Sequence, residues 1–163
     1  MEDVDEIRWL SAAERAAWLA VAAMVVKLPA ALDSQLQADS RLSFFEYMVL
    51  AVLSEQPDGT LQMSEIAELA SASLSRLSHT ATRLEQQGFI VREQVPGPGR
   101  RTNAVLTDAG YAKVVASAPG HVAQVRRLLI EDVPEADLAA LARVGERVLS
   151  RITDECPWST PSG

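Results

Sequence analysis

Residues 73–83 read SLSRLSHTATR. Wound as a helix at about 100° per residue, this stretch separates into two faces. Leu74, Leu77, Ala81 and Leu84 share one side, and Ser75, Arg76, His79, Thr82 and Arg83 share the other, with Ser73 at the helix start. The polar face offers hydroxyls, an imidazole and two guanidiniums, and no carboxylate appears before Glu85. These groups donate to base edges and phosphate oxygens, which a carboxylate would repel.

A second cationic cluster follows. In REQVPGPGRRTNAVLTDAG, residues 92–110, Arg100, Arg101 and Thr102 adjoin a loop of prolines and glycines between two strand-like runs. A tip with few accessible conformations loses little entropy on ordering against a partner. Residues 71–103 hold five arginines against two glutamates, a local +3 in a chain of net charge −7, so the remainder carries −10. Such a distribution concentrates attraction for a polyanion at one place and keeps the rest of the surface off it.

The elements that must position these groups are mostly helical. SAAE (residues 11–14) and SFFE (43–46) have the form of capping boxes, opening a long first helix and a second one running to about Glu55. Trp18, Val21, Val25, Leu28, Leu32 and Leu36 mark one apolar face of the first, and Pro29 should kink or split it. A PDG turn precedes the short strand TLQM. Ser64 is expected to cap the helix EIAELA, and after a turn at Ser71–Ala72 Ser73 caps the helix to Gln87, which Gly88 ends. Strands are expected at residues 89–95 and 102–106, joined by a tip longer than two residues. Thr107 caps another long helix, interrupted near Pro119–Gly120, and Pro134 begins a last one carrying Leu138, Leu141, Val144, Val148 and Ile152. The fold class is therefore mainly α with a small β-wing: a helix-turn-helix and hairpin flanked by terminal helices.

Other chemistries find little support. No glycine-rich elbow or His/Asp arrangement accompanies the serines, so no enzyme is indicated. His121 lacks a second histidine at ligand spacing, and neither a metal nor another cofactor is expected. Cys156 is the single cysteine, which excludes an intrachain disulfide and fits a reducing cytoplasm. Asp154 and Glu155 beside it disfavour the thiolate a redox switch needs. The acidic start MEDVDEIRWL is unlike a secretory leader, and the run AAWLAVAAMVV is about half of the ~20 residues a membrane span needs, so no membrane association is expected.

The order and spacing of LSFFEYMVLAVLSEQPDGTLQMSEIAELA, SLSRLSHTATRLEQQGFIVRE and GRRTNAVLTDAG resemble the MarR family of bacterial winged-helix regulators. That resemblance implies an N-terminal arm and dimerisation helix over 1–40, a winged helix-turn-helix DNA-binding domain over 41–107, C-terminal dimerisation helices over 108–155 and a flexible tail over 156–163. It implies a homodimer on double-stranded DNA, with Ser73, Ser75, Arg76, His79, Thr82 and Arg83 in the major groove and Arg100, Arg101 and Thr102 at the minor groove. Arg100 matches the family's wing arginine. Pro98 replaces the aspartate that usually orients it, so Arg101 can share the role. A small-molecule effector pocket between the dimer helices and the winged domain is a further implication, with Trp18, Phe44 and Tyr47 as candidate lining or as plain core. The expected activity is sequence-specific transcriptional repression at a pseudo-palindromic operator. The alternative is a winged-helix protein-interaction module without DNA binding.

Overall fold

A computed structural model describes residues 7–97, 99 and 101–152. Helix α1 spans Ala12–Ser40. The capping box at its start is formed: Ser11 Oγ accepts from the Glu14 N–H, and Glu14 Oε2 accepts from the Ser11 N–H at 2.7 Å. Pro29 neither breaks nor splits it. One missing backbone bond is tolerated in a helix whose second half is held by buried Leu32 and Leu36. Trp18, Val21 and Val25, in the first half, are exposed in the single chain. By length and composition α1 is apolar enough to cross a membrane, with an 18-residue window of mean hydropathy 1.6. This exceeds the expectation from the uninterrupted apolar run, because apolar residues continue past Lys27 and Pro29.

Helix α2 (Phe44–Ser54) carries the second capping box, Ser43 with Glu46. Strand β1 (Thr60–Gln62) leads into α3 (Met63–Leu69). The α3 boundary differs from expectation: the cap position is Gln62, not Ser64. Glu65 reaches back to the Gln62 N–H at 2.9 Å, which starts the helix two residues earlier and leaves Ser64 in its first turn. Helix α4 (Leu74–Gln86) is capped by Ser73 and followed by Gly88 at φ 75°.

Strands β2 (Ile90–Val95) and β3 (Arg101–Leu106) form the wing. The sheet order is β1-β3-β2, all antiparallel, with Leu61 opposite Ala104 and Val95 opposite Arg101. Arg101 is thus the last rung of the wing ladder. Helix α5 (Asp108–Val125), capped by Thr107, runs unbroken past Pro119–Gly120. Gly120 instead permits close approach to α1, since a Cβ there would meet Gln35 Nε2 at 3.2 Å and Asp39 Oδ2 at 3.4 Å. The irregularity falls later, in a wider π-helical turn at Arg126–Ile130, where the Glu131 N–H donates to the Arg126 carbonyl. Helix α6 (Glu135–Ile152) buries no residue in the single chain.

One core joins these elements. Leu36, Leu42, Leu50, Leu53, Ile66, Leu77, Leu84 and Ile90 are fully buried and come from α1 and its C-terminal corner, α2, α3, α4 and β2. Ala104 of β3 and Val114 of α5 complete it. Helices α3 and α4 and the wing are therefore fixed on their inner side, leaving their outer side available.

Candidate nucleic-acid interface

The turn between α3 and α4 is short because Ser71 adopts a left-handed conformation, φ 47°, and reverses the chain. Ser73 Oγ then accepts from the Arg76 N–H at 3.2 Å. Leu77, Ala81 and Leu84 are wholly buried, as their phase requires, so α4 has a fixed rotation about its axis. Leu74 departs from the expected apolar face: it is 58% exposed, since the first residue of α4 precedes the turn that enters the core. Ser73, Ser75, Arg76, His79 and Arg83 are exposed, and Thr82 is half-buried with its hydroxyl donating to the Ser78 carbonyl at 3.0 Å.

Both arginines of this face are organised by α2. The Arg76 guanidinium lies over the Phe45 ring, 4.3 Å from its centroid. Arg83 closes on Glu46, with Nε and Nη2 donating to Oε1 at 3.0 and 2.6 Å. Sequence reasoning assigned Glu46 to the capping box alone and gave Phe45 no role. The partners are 37 residues apart for Glu46 and Arg83, and no local pattern signals the pairing.

The other end of α4 is tied to the wing. Glu85 takes Arg92 Nη2 at 2.6 Å, Arg92 Nε at 3.0 Å and the Arg92 backbone N–H at 3.0 Å. The Arg92 side-chain hydrogen bonds, then its backbone N–H, hold the Glu85 carboxyl below its ordinary range. Among the described residues of the basic stretch, Arg83 and Arg92 are thus paired within the chain. On the wing, Arg101 is exposed beside Gly97, and Thr102 is half-buried opposite Gln94. Arg100, Pro98 and Cys156 lie outside the described residues.

A cleft of about 1130 Å³ opens between α1, α2 and α4, lined among others by Pro29, Asp33, Phe44, Met48, Arg76 and Arg83. Of the candidate pocket residues, Phe44 lines it. Tyr47 is buried against His121, ring centroids 4.6 Å apart, and Trp18 projects from the exposed half of α1, so neither reaches the cleft within the single chain. Among the described residues no group of His, Cys, Asp and Glu could hold a metal.

Comparison with known proteins places this geometry. The MarR family description matches residues 42–101. The chain is similar to the solved structure of Sco3205, a MarR family transcriptional regulator from Streptomyces coelicolor in complex with DNA, with 37% identity and TM-score 0.83 over 88% of this chain and 90% of that one. AbsC, a MarR family transcriptional regulator from the same organism, gives 32% identity and TM-score 0.83 over 91% and 99%. Sco5413, a third such regulator from Streptomyces coelicolor, gives 26% identity and TM-score 0.72 over 89% and 100%. No curated protein sequence matches the chain.

Proposed function

The chain belongs to the MarR family of winged helix-turn-helix transcriptional regulators, a non-enzymatic, DNA-binding class, and from that premise we propose that it is a homodimeric repressor of a pseudo-palindromic operator. The observation that carries this reading is the outer face of α4: Ser75, Arg76, His79 and Arg83 stand exposed on a helix whose inner face is sealed. A relative of the same fold, 37% identical, was solved on DNA. Arg76, with Ser73, Ser75, His79, Thr82 and Arg83, would enter the major groove, while Arg101, Thr102 and Arg100 would approach the minor groove.

The domain scheme reads 1–40 and 108–155 as the dimerising parts and 41–107 as the reading part. Exposed Trp18, Val21 and Val25 on α1, with Val144, Val148 and Ile152 on α6, form apolar surfaces that a second copy would cover. A two-fold dimer would repeat the reading helices at about one DNA turn, ~34 Å. We read the apolar α1 as this interface, not as a membrane span, and the protein as cytoplasmic. Blocking a promoter needs only occupancy, hence repression.

The cleft is the place for a small-molecule effector. An occupant would touch Arg76 and Arg83 and so act on the surface that meets DNA. Changing operator affinity about 5–150-fold needs a coupling of about 1–3 kcal/mol.

The test is an anisotropy titration on DNA from the protein's own upstream region, at two salt concentrations, against a scrambled duplex. Specific, salt-sensitive binding of two protomers per site is expected. Absence of specific binding at low salt would instead favour the interaction-module reading, to which the in-chain pairing of Arg83 and Arg92 lends some weight.

A further inference from the structure

The Glu46 carboxylate occupies an unusual position. Its side chain is 5% exposed, yet its partner Arg83 is 59% exposed. Oε2 accepts from the Ser43 N–H at 2.7 Å, locking the carboxylate to the first turn of α2. Oε1 accepts from Nε and Nη2 of Arg83. Of the five guanidinium protons, those on Nη1 have no acceptor among the described residues, while the group as a whole is on the exposed face of α4. One edge of Arg83 is held by a carboxylate of α2, and the Nη1 end of this 59% exposed side chain has no partner among the described residues.

From this geometry we propose that Glu46 is a positioning residue for DNA reading: it sets the Arg83 guanidinium in a fixed orientation, so that the free edge meets the groove without searching its rotamers. The inference rests on the DNA-binding reading of α4. A side chain ordered in advance loses less entropy on binding, and a planar fork held on one edge directs its remaining donors. The pairing also cancels one positive charge on the reading face. Glu46 therefore trades general attraction to phosphate for selectivity, and its removal should weaken discrimination while leaving non-specific binding intact or stronger.

The experiment measures the ratio of operator affinity to scrambled-duplex affinity by anisotropy. It uses the full chain with wild-type sequence, Glu46→Gln, Arg83→Ala, the double variant and Arg83→Lys. Glu46→Gln keeps the volume and an oxygen for the Ser43 N–H, and thermal unfolding of each variant checks the fold. Glu46→Gln is expected to lower the ratio about 3- to 10-fold and to have no effect in the Arg83→Ala background. Arg83→Lys, which keeps the charge but loses the fork, is expected to lower it similarly. An unchanged ratio in Glu46→Gln overturns the inference, as does an equal drop in both backgrounds, which would mean that Glu46 acts through α2 alone. If Glu46→Gln does not fold, a full ratio in Arg83→Lys overturns it and a lowered one supports it. Failure of the wild-type protein to bind any duplex overturns the DNA-binding reading and this inference together, whereas wild-type binding with an unaltered variant overturns this inference only.

Discussion

Tyr47 and His121 pack ring against ring across the α2–α5 contact, centroids 4.6 Å apart and planes tilted by 47°. Phe44 flanks the same imidazole at 6.0 Å, and His121 Nδ1 is buried without a hydrogen-bond partner among the described residues. Burial pushes the His121 pKa below its ordinary 6.5. In that window the unfolded chain binds the proton and the folded chain resists it, so stability is whole above pH 6.5 and falls as pH drops toward the lowered folded value. The melting temperature should therefore fall from about pH 7.5 to about pH 5.5, and His121→Phe should flatten part of that slope. An identical slope in the variant would place the acid sensitivity elsewhere. The lowered Glu85 carboxyl acts in a separate window: its contribution is present above the ordinary 4.5 and is lost only as pH falls below it.

Gly110 fixes where α5 leaves the wing. A Cβ at this position would lie 2.1 Å from the Phe89 carbonyl oxygen and 2.7 Å from Leu106 Cδ1. The first is backbone and cannot rotate away, so the start of α5 and the start of the wing must separate. Gly110→Ala should cost about 1–3 kcal/mol of stability, as overpacking does, read by chemical denaturation. A near-zero cost would show that this junction is looser than the structure has it.

Arg76 has a different support from Arg83. It stacks on Phe45 without a carboxylate partner among the described residues, so its charge is fully available. Arg76→Ala should lower operator affinity by about 1–3 kcal/mol and relax preference at one base position if it reads a base. Phe45→Leu, which removes the platform only, should lower it by about 0.5–1 kcal/mol. Competition titrations with single-base operator variants distinguish the two.

Much of this arrangement was legible from local pattern. The rotation of α4 followed from the spacing of Leu77, Ala81 and Leu84, because a helix that buries one stripe must expose the other. The caps at Ser11, Ser43, Ser73 and Thr107 were equally legible, since a capping oxygen lies within three residues of the N–H it accepts. The pairing of Glu46 with Arg83 was not, because it depends on how α2 crosses α4. Glu46 instead showed its local role, which it also performs. The wide turn at Arg126–Ile130 was displaced in expectation to Pro119–Gly120: proline and glycine are strong signals, but α5 is held against α1 there and continues.

The outer half of α1 gives a prediction about assembly. Val25 is 66% exposed and is not part of the buried core, so Val25→Glu should leave the single chain folded. If α1 forms the dimer contact, sedimentation velocity should show a monomer. Operator affinity should fall about 100-fold or more as the second reading head is no longer tethered. A dimeric variant would move the interface away from this face.

Arg101 stands exposed at the last rung of the wing ladder, and under the proposed reading it would contact the DNA backbone. Arg101→Ala should weaken operator and scrambled duplex alike and reduce the slope of log affinity against log salt by about 1. A selective loss on the operator would make it a reader of sequence.

The pairing of β1 with β3 has a consequence for building chimeras. β3 lies between a strand that precedes α3 and α4 and one that follows them, and the Leu106 N–H donates to the Gly59 carbonyl at 2.9 Å. A graft of residues 73–106 into another scaffold would carry the wing but abandon β1, leaving one edge of the central strand to a foreign partner. The smallest transplantable cassette begins upstream of Ser43, so that β1 and the carboxylate beneath Arg83 travel with the surface they support.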